Sequence, residues 1–111
     1  MNSQVIEIDT QKMRDLEASA ERVSAILKAI GNDKRILLLC KIVENGEVVA
    51  GSLVGIAGLS QSAMSQHLAK LRDEGIITFR RDGQTLWYRL ADPNIKELIV
   101  TLHRLYCNVE N

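Results

Sequence analysis

The chain is short of the residues that staple, break or stiffen a small protein. It has one proline, two cysteines, one tryptophan, two tyrosines and one phenylalanine among 111 residues. With Pro93 the only proline, turns have to be read from Gly, Asn and Asp. Cys40 and Cys107 are too few for a disulfide-built miniature domain, and they lack the CxxC spacing of a zinc site or a thioredoxin-like motif. A reducing compartment keeps such cysteines as thiols. Net charge is also missing, with 14 basic residues balancing 14 acidic ones. Because phosphate binding relies on Lys and Arg, a neutral total speaks against nucleic acid unless the charges are segregated. No apolar run approaches the ~20 residues of a membrane-spanning helix, and MNSQVIEIDT has neither the basic start nor the apolar stretch of a secretory leader. The expectation is a cytoplasmic chain with no membrane partner. Paired carboxylates, a nucleophile with its base and a phosphate loop are all lacking, so neither an enzyme nor a cofactor is expected.

What remains is a globular composition, 46% hydrophobic and 25% charged. The length fits one domain, small enough that dimerisation adds usefully to its stability. Charge is in fact uneven: the balances of residues 1–31, 32–59, 60–91 and 92–111 are −1, 0, +2 and −1. The one basic segment is also the one whose pattern is most informative.

The pattern is mostly helical. Met13, Leu16, Ala20, Val23, Ile26, Leu27 and Ile30 recur at three- and four-residue steps, predicting an amphipathic helix that Gly31 ends. Asn32 or Asp33 can cap a second helix over 34–44, which carries Cys40 and stops at Asn45-Gly46. Residues 50–57 suit one or two helical turns, followed by a turn at Gly58. Ser60 caps a helix over 61–74 with Met64, Leu68 and Leu71 inward and Gln61, Ser62, Ser65, Gln66 and Lys70 outward. After Gly75, residues 76–81 and 85–90 are strands rich in branched and aromatic side chains. Asp82-Gly83 between them predicts a type I′ hairpin turn. Asp92 and Pro93 open a last helix whose apolar side holds Ile95, Leu98, Ile99, Leu102, Leu105 and Tyr106. Residues 1–12 form either a disordered lead or an extension of the first helix, and residues 13–108 form the domain.

Two short helices joined by a Gly-containing turn and followed by an arginine-bearing hairpin give the order ααααββα, that of a winged helix-turn-helix, mainly α with a β-hairpin wing. A helix that enters the major groove needs small hydrogen-bonding groups and few acids on its outer face. Gln61, Ser62, Ser65 and Gln66 meet that need. Arg80, Arg81 and Arg89 on the hairpin suit the flanking backbone or minor groove, with Arg81 nearest the turn. His67, between inner and outer faces, suits either a phosphate or a local hydrogen bond. Trp87 and Tyr88 read as packing residues. A polar helix face is also what solvent alone selects, so a winged-helix module that docks a protein stays open on pattern alone.

At LSQSAMSQHLAKLRDEGIITFRRDGQTLWYRL, residues 59–90, and AIGNDKRILLLC, residues 29–40, the chain resembles the ArsR/SmtB family of bacterial repressors. The resemblance spans about residues 16–107. It implies five helices with a two-stranded wing, a homodimer built from the terminal helices, and double-stranded operator DNA as partner, bound at an imperfect inverted repeat.

Many members of that family sense metals, and here the sequence departs from them. The stretch 48–52 offers no thiolate, and the last helix has Asp92 and a lone His103 where paired Asp and His ligands are needed, so no metal site is expected. An ArsR-type repressor with another inducer, or none, remains the alternative. Cys40 with the ending LHRLYC, residues 102–107, is similar to the sulfide-, persulfide- and redox-responsive branch of the family. That resemblance implies that Cys40 and Cys107 are sensing thiols, bridged by a disulfide or polysulfide after reaction with a persulfide or oxidant. A direct disulfide requires Cα atoms within ~7 Å, and an accessible thiolate is the nucleophile. His103 and Arg104, four and three residues before Cys107, are placed to favour its ionised form, although a solvated face is equally compatible with them. Inert packing is the plain alternative for both cysteines.

Overall fold

The computed structural model describes residues 9–106. Helix α1 runs Thr10–Ile30 behind Asp9, whose carboxylate accepts the Lys12 backbone N–H at 2.8 Å. Residues 10–12 are therefore helical, and residues 1–8 lie outside the described part. Gly31 closes α1 by donating its N–H to the Leu27 carbonyl, and a Cβ at Gly31 would stand 3.0 Å from that oxygen. Helix α2, Asp33–Asn45, is capped by Asn32, whose side-chain oxygen accepts the N–H groups of both Lys34 and Arg35. Such a cap satisfies two of the four orphan donors at a helix start. Gly46 ends α2 at a φ of +81°, a conformation that a side chain would strain.

The expected third helix takes a different form. Strand β1, Val48–Val49, is followed by two 3-10 turns, Ala50–Leu53 and Ile56–Gly58. Three glycines lie within residues 51–58, and Gly55 has a φ of +89°, so an α-helix cannot nucleate across them. Buried Leu53 anchors the segment. Helix α3, Gln61–Asp73, starts at Ser60, whose Oγ accepts the Ala63 N–H at 3.1 Å. Strands β2, Ile77–Asp82, and β3, Thr85–Leu90, form an antiparallel hairpin, and β1 adds to β3, giving the sheet order β1-β3-β2. Helix α4, Pro93–Tyr106, follows Asp92, whose carboxylate accepts the Ile95 N–H.

The hairpin turn differs by one residue from the expectation. Asp82 pairs with Thr85, so the two loop residues are Gly83 and Gln84, and of these only Gly83 has positive φ, +65°. A type I′ turn needs positive φ at both central positions, whereas Gly followed by any residue is the signature of type II′. In this register Ile77 pairs with Leu90 and Phe79 with Tyr88 on one face, where all four are buried or half-buried. The pairing sets the Phe79 and Tyr88 rings edge to face, with centroids 5.7 Å apart.

One core unites Leu38, Leu39 and Ile42 of α2, Leu53, Met64, Leu68 and Leu71 of α3, Ile76, Ile77, Tyr88, and Ile95 and Ile99 of α4. Each such side chain contributes roughly 1.5–3 kcal/mol through burial. Helix α3 is therefore clamped along its inner face while its outer face stays free. The apolar stripe of α1 behaves otherwise. Only Ala29 and Ile30 are buried, whereas Leu16 and Leu27 are 49% and 55% exposed and line an open recess with Ala20 and Val23.

Candidate nucleic-acid interface

The outward face of α3 follows directly from how its inner face is held. With Met64, Leu68 and Leu71 buried, helical geometry turns Gln61, Ser62, Ser65 and Gln66 to solvent, and all four are exposed. The first turn contains no acidic residue. The face thus offers hydroxyl and amide groups, both donors and acceptors, with no carboxylate among them to repel a phosphate. Lys70 sits one turn beyond Gln66 and is exposed, but its Nζ lies 3.3 Å from Glu74 Oε2. As an exposed pair this is weak and easily exchanged for a phosphate.

His67 is half-buried, and its Nδ1 accepts a hydrogen bond from Arg35 Nε of α2 at 3.1 Å. One of its two ring nitrogens is therefore committed to protein. Arg35, half-buried in the first turn of α2, has no feature in the sequence that marks it as a partner of α3.

On the wing the structure separates two arginines that are adjacent in sequence. Alternation places Arg80 on the outer face with Trp87 and Arg89, and Arg81 on the core side of the strand, at its exposed far end near the turn. Glu47, just before β1, takes Arg80 in a two-pronged bond, Nε to Oε2 at 2.9 Å and Nη2 to Oε1 at 3.1 Å. The Arg80 guanidinium also lies 5.4 Å from the centre of the Trp87 ring, within cation–π range. Arg89 Nη1 adds a longer contact to Glu47 Oε2 at 3.8 Å. Arg80 is thus a strut at the base of the wing, and Trp87 the surface it lies on. Arg81 is exposed and makes no ion pair among the described residues. Glu47 was not legible as a site residue, since 33 positions separate it from Arg80.

The hydrogen bond from Arg80 holds the Glu47 carboxyl below its ordinary value of 4.5. A depressed carboxyl pKa adds stability that is present above the unfolded value and lost as pH falls through the folded one. Glu47→Gln is accordingly expected to lower the melting temperature slightly at pH 7. The difference should vanish in acid below the depressed pKa, as checked by circular-dichroism melts across pH 2–7.

Cys40 is 6% exposed on α2. With Leu37, Lys41, Glu44, Ile56, Ala57 and His103 it lines a recess of about 370 Å³. His103 Nε2 meets Glu44 Oε2 at 2.9 Å, fastening the last turn of α4 to α2 beside that recess. His103 is therefore engaged with Glu44. Cys107, the residue after α4, lies outside the described residues. Among the described residues no three His, Cys, Asp or Glu side chains form a group that could hold a metal ion, and no helix is long and apolar enough to cross a membrane.

Residues 32–78 match the family described as "Bacterial regulatory protein, arsR family". The chain is 44% identical over 96 residues to the HTH-type transcriptional regulator YgaV of Escherichia coli, covering 86% of this chain and 97% of that protein. It is 40% identical over 95 residues to the transcriptional activator HlyU of Vibrio cholerae, covering 86% and 87%. Among solved structures, that of HlyU from Vibrio cholerae superposes with a TM-score of 0.76 at 41% identity, covering 83% of this chain and 99% of the other. The transcriptional repressor BigR from Xylella fastidiosa superposes with a TM-score of 0.74 at 33% identity, covering 87% and 98%.

Proposed function

The chain belongs to the arsR family of bacterial regulatory proteins, and from that we propose a cytoplasmic, homodimeric, DNA-binding transcriptional repressor that releases its operator when Cys40 and Cys107 are bridged by sulfur. The observation that carries DNA binding is the outer face of the first half of α3, free of acids, with Gln61, Ser62, Ser65 and Gln66 exposed above a rigid core. In the major groove Gln makes paired hydrogen bonds to adenine, and Ser serves a base or a phosphate. Arg81 reaches the flanking backbone from the wing tip, while Lys70 exchanges Glu74 for a phosphate.

A dimer accounts for the uncovered side of α1. Leu16, Val23 and Leu27 of α1, with Val100, Leu105 and Tyr106 of α4, are apolar and exposed in the single chain. Covering them with a second copy sets the two α3 helices about one DNA turn, ~34 Å, apart.

The sulfur reading is supported by the recess at Cys40, which the last turn of α4 borders through His103. One thiolate attacks the outer sulfur of a persulfide RSSH, taking that sulfur as its own persulfide and releasing the thiol RSH. The second thiolate attacks the cysteine sulfur of this persulfide and expels hydrosulfide. Two thiols and one RSSH thus give a disulfide, RSH and hydrogen sulfide, and each further RSSH adds one bridging sulfur and releases one more RSH. The bridge ties α2 to the end of α4 and biases the dimer away from the operator spacing.

A salt series tests the reading. A fluorescent duplex that the protein itself selects from a random pool is titrated at ~50–300 mM salt and followed by anisotropy. DNA binding predicts a steep linear fall of log affinity with log salt. No salt-dependent affinity for any duplex would instead leave a winged-helix dimer that docks a protein. The relative named as an activator gives a second reading of the sign, in which the same occupancy displaces another silencer. A promoter reporter that rises on deletion of the gene supports repression, and one that falls supports displacement.

A further inference from the structure

Helix α1 has 21 residues, but apolar packing within the chain buries only its last two. Polar contacts beside this short seam of Ala29, Ile30 and the half-buried Ile26 can hold α1 and the reading helix α3 in a fixed relation. Two arginines do so. Arg22, two turns before the end of α1, donates from Nη1 to the carbonyl of Glu74, the residue that caps α3, at 2.9 Å. A carbonyl at a helix end has no partner within the helix and carries the negative end of its dipole, so a guanidinium suits it. Arg35 of α2 donates from Nη1 to the Ala29 carbonyl near the end of α1, at 3.2 Å, and from Nε to His67 Nδ1 of α3, at 3.1 Å. A guanidinium only donates, so His67 Nδ1 is the bare nitrogen and the ring proton sits on Nε2. Helix α3 is thus gripped at its middle and at its end, and both grips refer to α1.

We infer that Arg22, Arg35 and His67 are positioning residues that fix the recognition helix to α1, so that the packing of α1 against its copy sets the register of the two α3 helices on DNA. The inference rests on the DNA-binding, dimeric reading above and makes none of the three a DNA contact. The lever is short and sensitive. A 13-residue helix is ~20 Å long, so a tilt of ~10° about its centre moves either end by ~1.7 Å, enough to break hydrogen bonds to bases.

The test uses the full chain, its selected operator duplex and an unrelated duplex, each across the same salt series, with a thermal melt of every variant. Arg35→Gln and His67→Leu are each expected to lower operator affinity ~10-fold or more, with the double variant no worse than the weaker single, as for two residues acting as one unit. Affinity for the unrelated duplex and the salt slope stay unchanged. His67→Asn, whose side-chain oxygen stands where Nδ1 stood, holds affinity within ~3-fold of the unaltered protein. If His67→Leu does not fold, His67→Asn against His67→Gln gives the same comparison, with Gln the weaker binder. A salt slope smaller by ~2 in the Arg35→Gln dimer, one phosphate per protomer, makes that residue a phosphate contact and overturns the inference. Equal losses on both duplexes, additive losses in the double variant, or a loss in His67→Asn as large as in His67→Leu overturn it too. Absence of duplex binding by the unaltered protein instead overturns the functional reading on which it stands.

Discussion

Ser65→Glu is expected to lower operator affinity at least ~100-fold while leaving the melting temperature within a few degrees of the parent. The position is exposed in the middle of α3. Glu is a good helix former, so the fold loses nothing by the change. On DNA the carboxylate faces phosphates and the acceptors of the groove floor, and a dimer carries it twice. Each lost or repelled base contact costs roughly 1–3 kcal/mol, and two of them reach the ~100-fold level. Anisotropy titration beside a thermal melt reads both quantities. Unchanged affinity in a folded variant would remove α3 as the reading element.

Leu71→Ala should unfold the domain more than any surface change. Leu71 is wholly buried on the inner face of α3, in the one core that α2, α3 and the sheet share. Truncating it removes three carbons from a close-packed site and leaves a cavity, at a cost of ~2–5 kcal/mol. For a chain of this length each kcal/mol lowers the melting temperature by ~4–8 °C, so a fall of ~10 °C or more is expected by calorimetry. Operator affinity measured well below the melt should change far less than in Ser65→Glu, because the outer face of α3 keeps its chemistry. A melt within ~2 °C of the parent would mean that the packing around Leu71 is not as described.

These two sites lie on opposite faces of one helix, and both faces were readable from spacing alone. Ser60, the buried Met64, Leu68 and Leu71, and the exposed Gln61, Ser62, Ser65 and Gln66 follow from a cap and a 3.6-residue period, which are local properties. So do Gly31, Asn32, Gly46 and Asp92 at the helix ends. The third helix was not readable in the same way. Small and apolar residues at 50–57 suit helical turns, yet Gly51, Gly55 and Gly58 break them into 3-10 turns. The hairpin turn lies one residue beyond Asp-Gly, in the register that sets Ile77 opposite Leu90 and Phe79 opposite Tyr88, a cross-strand pairing that the local Asp-Gly preference does not specify.

What sequence could not offer were partners distant along the chain. Arg80 and Arg81 look equivalent side by side, but only Arg80 meets Glu47 and Trp87. His67 stands between two readings until Arg35 is brought to it. His103, read as a neighbour of Cys107, is held by Glu44 across to α2. Each of these depends on the docking of separate elements, for which no local pattern exists. The family resemblance supplied the thiol pair, which spacing alone left as packing.

Operator occupancy under sulfur stress tests the central claim most directly. Anisotropy on the selected duplex is measured for reduced protein, for protein treated with an organic persulfide, and for the Cys40→Ser and Cys107→Ser variants, with the intact mass of each species. The account predicts tight binding by all reduced forms. On treatment, the parent loses affinity by ~5–150-fold, the range of ordinary allosteric coupling, and gains an internal sulfur bridge that both variants lack. Tight binding by the treated parent despite a bridge, or release that persists in either variant, would contradict it.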